Sequence, residues 1–210
     1  MKTLLIILSC VMLLSACGAP EPPTVNLYLA MRRGDVEQIE RHIASGTDMN
    51  QLDPEGLAPL HVAVRDGRVA ITRLLLKHGV DLERPDREGH TPMYHALMNG
   101  QVRIARLLRQ HGAGLDPTRL LLALVDKGIS QRDSLVYLIE QGAQIEQRNA
   151  KGDTPLLSAI RQGNHKLAKH LVNLGADVQA RDAQGHSALS IAKSLGLEDI
   201  ILLLLRNGAT

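Results

Sequence analysis

Nine histidines and two cysteines are the residues of this 210-residue chain best suited to metal or acid–base chemistry. Histidine is the commonest metal ligand and the usual proton-transfer group near neutral pH. The spacing of these histidines does not favour a shared site. His90 and His95 are five apart, as are His165 and His170, a spacing that turns two side chains away from each other on one helix. His61 lies in a Pro-Leu-His phrase and reads as a structural hydrogen-bonder, while His78 and His111 end helical phrases, where a cation suits the helix dipole. His170 stands where the corresponding phrases carry leucine, and it is the least comfortable of the nine. No G-x-S-x-G, H-E-x-x-H or phosphate-cradling glycine run is present. Catalytic residues, a metal, a cofactor and a small-molecule substrate are therefore not expected. Nor is nucleic acid, because the net charge is only +2 and no stripe of Lys and Arg interleaved with aromatics occurs.

The remaining reactive group is the thiol of Cys17. It follows Lys2, an apolar run from Leu4 to Leu14, and the small residues Ser15 and Ala16. This is the layout of a secretory signal, and the run is shorter than the roughly 20 residues needed to span a bilayer. Leu14-Ser15-Ala16-Cys17 resembles the lipobox of bacterial lipoproteins. That resemblance implies removal of residues 1–16, acylation of Cys17 with palmitate-type chains, and stable attachment to a membrane. The alternative is an ordinary secreted protein cleaved at a nearby alanine, with Cys17 incidental. Gly18, where inner-membrane lipoproteins often carry Asp, leans towards the outer membrane facing the periplasm. Residues 17–26 contain Pro20, Pro22 and Pro23 and read as a semi-rigid spacer. With Cys10 in the leader and Cys17 blocked, the mature chain has no thiol left for a disulfide.

The elements that would position any binding side chain repeat. One glycine series runs Gly46, Gly79, Gly112, Gly142, Gly175, Gly208, and a second runs Gly34, Gly67, Gly100, Gly128, Gly163, Gly196. Most steps in both are 33 residues. Glycine suits the left-handed position that follows a helix, so each unit contains two short helices. Before the first helix a phrase recurs: DPEGLAPLHVA from Asp53, DREGHTPMYHA from Asp86, NAKGDTPLLSA from Asn149 and DAQGHSALSIA from Asp182. Its Asx-x-x-Gly start is a tight turn. Thr91, Thr154 and Ser187 are suited to cap the helices, and Pro59, Pro92 and Pro155 suit the first helical position. The second helices, such as VAITRLLLKHG and VRIARLLRQHG, carry leucine at helical spacing. With no Phe or Trp and three Tyr, the core must be aliphatic.

These phrases resemble the ankyrin repeat, whose signature is T-P-L-H-x-A at a period of 33. The resemblance covers residues 27–210 as about six units. It implies an all-α solenoid of paired antiparallel helices, with short β-turn hairpins projecting from one edge. The fourth unit, Pro117 to Ala143, lacks the Asx-x-x-Gly turn and the Thr-Pro phrase. It should keep its helices and lose its hairpin, breaking the row.

In a solenoid each unit leans on its neighbours and the ends need polar caps. Gln38 and Arg41 provide one in the first unit. The last unit, DIILLLLRNG from Asp199, does not, and Leu202 and Leu205 should be partly exposed as a possible docking patch. The resemblance further implies a protein-binding concave face, taken from hairpin tips and first-helix ends: Arg32, Arg33, Glu55, Leu57, Arg65, Asp66, Arg87, Glu88, His90, Met98, Asn99, Arg161 and Gln162. Lys151, Asp153, Gln184 and His186 extend it. The chain is thus expected to be a membrane-anchored, non-catalytic scaffold for a protein partner. Two narrower forms stay open: an immunity-type inhibitor of a toxic enzyme, or an assembly and protective factor for a periplasmic one.

Overall fold

The computed structural model describes residues 21–210; the leader, Cys17 and the lipobox lie outside them. Twelve helices follow one another in six pairs: α1 Leu27–Arg33 with α2 Val36–Ala44, α3 Pro59–Arg65 with α4 Val69–Lys77, α5 Pro92–Met98 with α6 Val102–Gln110, α7 Pro117–Asp126 with α8 Arg132–Glu140, α9 Pro155–Arg161 with α10 His165–Asn173, and α11 Ala188–Ser194 with α12 Glu198–Arg206. The described residues form no sheet, only an isolated antiparallel bridge between Arg181 and Ser187.

The local chemistry of the recurring phrase accounts for these boundaries. The hydroxyls of Thr91, Thr154 and Ser187 accept from the backbone N–H three residues on, and proline occupies the first position of α3, α5, α7 and α9. Ala58 has no side-chain cap to offer. There His61 Nδ1 accepts from the Ala58 N–H at 3.2 Å. Both glycine series take positive φ throughout; Gly34, at 72°, ends α1 so that α2 can start two residues later.

Side-by-side stacking of the pairs buries an aliphatic core. Leu60, Leu75, Met93, Leu97, Ile104, Leu108, Leu121, Leu124, Leu135 and Leu138 are essentially sealed from solvent. Each such side chain contributes roughly 1.5–3 kcal/mol relative to exposure. Alanines recur where first helices approach one another: Ala30, Ala63, Ala96, Ala159 and Ala192 are all at 0% exposure.

The row of hairpins, the fingers, is built by four Asx turns. In the first, the Asp53 N–H donates to the Leu57 carbonyl while Asp53 Oδ1 accepts from the Leu57 N–H, each at 2.9 Å. The backbone closure recurs at Asp86–His90, Asn149–Asp153 and Asp182–His186. In the fourth repeat no such turn occurs among the described residues. Residues 111–116 run directly from α6 to α7, where residues 78–91 make a full finger one repeat earlier, yet both helices of the pair are present. In consequence α5 and α7 meet less closely than any other neighbouring first helices.

Candidate functional site

The finger row and the adjoining ends of the first helices form the face expected to bind. Its residues divide by what already holds them. Arg32 donates to Glu55 at 2.8 Å and lies 3.9 Å from the buried Asp53 carboxylate. Arg65 pairs with Glu55 and Asp66 at 3.6 and 3.4 Å. Arg87 reaches the Pro54 carbonyl of the preceding finger at 2.6 Å. Arg161 bridges two fingers, 3.0 Å from Asp153 and 2.6 Å from Asp182. Gln162 donates to the Val125 carbonyl of the repeat before it at 2.9 Å. Apart from Arg65, whose partners lie in its own repeat, these side chains knit neighbouring repeats together. Arg33, Glu88 and Asn99 are exposed at the edge, with His90 and Met98 half-buried between them.

Leu57 does not belong to this surface. It is 8% exposed and packs into the core, because the returning arm of the finger buries its leucine against the helices. Asp153 is likewise 4% exposed, turned inward to Arg161.

The helical spacing rule also fails for His90 and His95. His90 precedes the cap Thr91 and so lies in the finger, outside α5. The chain folds back there, and ligand atoms of Asp86, His90 and His95 fall within 4.8 Å of one another. His95 Nε2 is 2.7 Å from Asp86 Oδ2, and His90 Nδ1 is 3.8 Å from the same oxygen and 3.3 Å from Glu88 Oε2. Three such groups could hold a metal ion. The last finger, however, builds the same pattern around Asp182 with Arg161 and His186 Nδ1, the latter at 3.0 Å. In both places a buried turn carboxylate is met by a cationic or donor side chain, which is a structural task. The electrostatics agree. Burial pushes the Asp182 carboxyl up, but the His186 imidazole and the N–H groups of His186 and Gln184 outweigh it and hold the pKa at about 2. At Asp86 the same opposition, with the N–H groups of His90 and Glu88 and the His95 imidazole set against burial, also ends below the usual carboxylate range.

His61 links neighbouring fingers. Because its Nδ1 accepts from Ala58, its Nε2 carries the proton and donates to the His90 carbonyl at 3.2 Å. Burial pushes its pKa down, keeping it neutral.

Tyr94 was legible only by column. It stands in Thr91-Pro92-Met93-Tyr94 where His61 stands in Ala58-Pro59-Leu60-His61. Its ring stacks on that of His90 at 3.8 Å between centroids, and its buried hydroxyl has no hydrogen-bond partner among the described residues. Beside it, where the fourth repeat lacks its finger, opens a cavity of about 430 Å³. At the far end of the stack Leu195, Leu202 and Leu205 are about half exposed, at 50%, 50% and 48%. The apolar surface includes the two leucines expected, together with Leu195.

Comparison with known proteins matches this architecture. The family model described as "Ankyrin repeats (3 copies)" fits residues 27–119 and again residues 121–210. The ankyrin repeat domain of Bcl-3, a member of the IκB family, superimposes with a TM-score of 0.70 at 26% identity, over 90% of this chain and 89% of that one. An ankyrin repeat domain from Acinetobacter baumannii does so at 0.65 and 26%, over 88% and 98%. A chain in the complex of a Bdellovibrio bacteriovorus predatory endopeptidase with its immunity protein gives 0.65 over 85% and 95%; at 24% identity that likeness bears on the fold alone. Among curated proteins, NF-kappa-B inhibitor delta of Mus musculus is 32% identical over 71 residues, 34% of this chain and 22% of its own length. The ankyrin repeat domain-containing protein oryK of Aspergillus oryzae is 35% identical over 72 residues, again 34% of this chain but 11% of its own length.

Proposed function

The chain belongs to the ankyrin-repeat family, and on that footing we propose that it is a non-catalytic scaffold, tethered to a bacterial membrane through Cys17, that grips a protein partner in the periplasm. The observation that carries the binding part is the finger row. Four rigid turns, cross-braced by Arg87, Arg161 and His61, project exposed charged tips such as Glu55 and Glu88 from a core that needs none of them for packing. A preorganised polar surface of this kind binds with little ordering cost. The tether rests on the Leu14-Ser15-Ala16-Cys17 motif. It would raise the effective concentration of the scaffold for partners at the same membrane.

Two measurements test the reading. Labelled palmitate should enter the wild type and be absent from Cys17→Ala; equal labelling refutes the anchor. A membrane-preserving pulldown with the acylated protein should retain a partner that an Arg65→Glu/Met98→Glu variant loses. The identity and state of that partner, an enzyme silenced or an enzyme kept active, separates inhibition from protection.

A further inference from the structure

The finger row skips one place, and the space left there is lined by His90, Met93, Tyr94, Arg119, Leu120 and Lys127. One junction earlier the chain fills the equivalent space itself. His61 Nε2 gives its proton to the His90 carbonyl at the base of the next finger. Tyr94 occupies the His61 column, but no finger follows, and its hydroxyl is left with no acceptor among the described residues.

The lining carries three carboxylates and two cations, which differ in what holds them. Each carboxylate keeps its charge but is held by an N–H: Glu83 accepts from the Gly114 N–H at 2.7 Å, Asp116 from the Arg119 N–H at 3.0 Å, and Asp126 from the Asn149 amide at 3.2 Å. Neither the Arg119 guanidinium nor the Lys127 ammonium has a carboxylate within 4.0 Å among the described residues. The Lys127 ammonium lies over the Tyr94 ring instead, 6.0 Å from its centroid.

We propose that this gap is a docking pocket for an acidic surface turn of a protein partner, which takes the place of the missing finger. A carboxylate of the turn pairs with Lys127 and Arg119. Lys127 then swings off the Tyr94 ring and opens the hydroxyl, which donates to a backbone carbonyl of the turn as His61 does to His90. The chain's own Asp53–Leu57 finger shows the occupant's form: a turn closed by a backbone hydrogen bond with a glutamate, Glu55, at its tip. The inference rests on the protein-binding reading and names where, and with what chemistry, the partner is held.

The test uses a cyclised peptide carrying Asp-Pro-Glu-Gly-Leu as probe, with neutral (Asn, Gln) and basic (Lys) versions as controls. Nuclear magnetic resonance of the isotope-labelled mature chain follows the titration. The acidic probe should shift the amides of His90, Tyr94, Arg119 and Lys127 and saturate in about the millimolar range. The neutral probe should bind about tenfold more weakly, and Tyr94→Phe should weaken the acidic probe about fivefold. Arg119→Glu/Lys127→Glu should transfer the preference to the basic probe. Absence of shifts, shifts centred elsewhere, loss of charge preference, or concentration-dependent pairing of two copies through this pocket would each overturn the proposal. A natural partner retained equally by wild type and by the charge-reversed variant would remove the pocket while leaving protein binding intact. Probe binding without any retained partner would do the reverse.

Discussion

At the level of single residues, the least settled side chain is His170. Its Nε2 is buried without a partner, and burial, reinforced by Lys166, Arg132 and Lys169, pushes its pKa down. Replacing it with the leucine that other repeats use removes an unsatisfied polar atom. His170→Leu should stabilise the chain by about 1 kcal/mol, raising the melting temperature by about 2–4 °C in a calorimetric scan. The sign of the pH dependence follows from the same groups. His61 and His170 have folded pKa values below the ordinary 6.5, so the unfolded chain takes up protons first. Stability is complete above about pH 6.5 and falls as the pH drops towards the folded values. Asp182 and Asp86 sit below their ordinary 3.8, so their contribution holds until the pH falls through that value. Urea midpoints should therefore decline in two stages, and His170→Leu should flatten only the first. The sequence announced His170 and the helix caps, because each obeys a column rule. It did not announce His95 beside Asp86, since that meeting depends on where α5 begins, nor the burial of Leu57, since a finger residue reads as surface until its direction is known.

At the level of the element, the finger turn carries the most specific requirement. Gly56 has φ 85°, and a methyl added there would meet the Arg87 side chain of the next finger near its root. Gly46 has a similar φ of 77° with nothing close by. Gly46→Ala should cost the left-handed strain alone, about 1–2 kcal/mol, and Gly56→Ala measurably more, because Arg87 must also move. Denaturant titration of the two variants side by side measures the difference; equal losses would mean that the cross-brace from Arg87 to the Pro54 carbonyl adds nothing. Helix pairs and turns were readable from glycine spacing, because backbone geometry demands glycine at fixed points. The cross-braces were not, because an arginine tied to a neighbouring carbonyl looks in sequence like any exposed arginine.

At the level of the whole molecule, the two ends differ. At the amino end the segment before α1 runs along α2: the Thr24 N–H donates to Gln38 Oε1 at 2.8 Å, His42 Nε2 lies 2.8 Å from the Val25 carbonyl, and Glu21 pairs with Arg41 at 2.7 Å. The polar cap predicted at Gln38 and Arg41 is thus a seat for the chain that leads into the stack. At the other end the exposed leucines have no such cover among the described residues. Leu202→Glu/Leu205→Glu should leave the helical circular dichroism unchanged and stability within about 0.5 kcal/mol, since surface changes rarely exceed that. It should also abolish any self-association seen by light scattering in the wild type; association that persists would show these leucines to be a bare end cap.

The thin contact between α5 and α7 has a mechanical consequence. A stack stabilised by nearest neighbours is only as strong as its loosest joint. If load reaches this chain through its amino-terminal segment, the first helices should separate most readily between the third and fourth repeats, giving uneven extension steps where a uniform rod of six units would give a single rupture or an even ladder. A turn wedged into that joint from outside would act as a splint, and grip on a partner would then be read out as resistance to pulling.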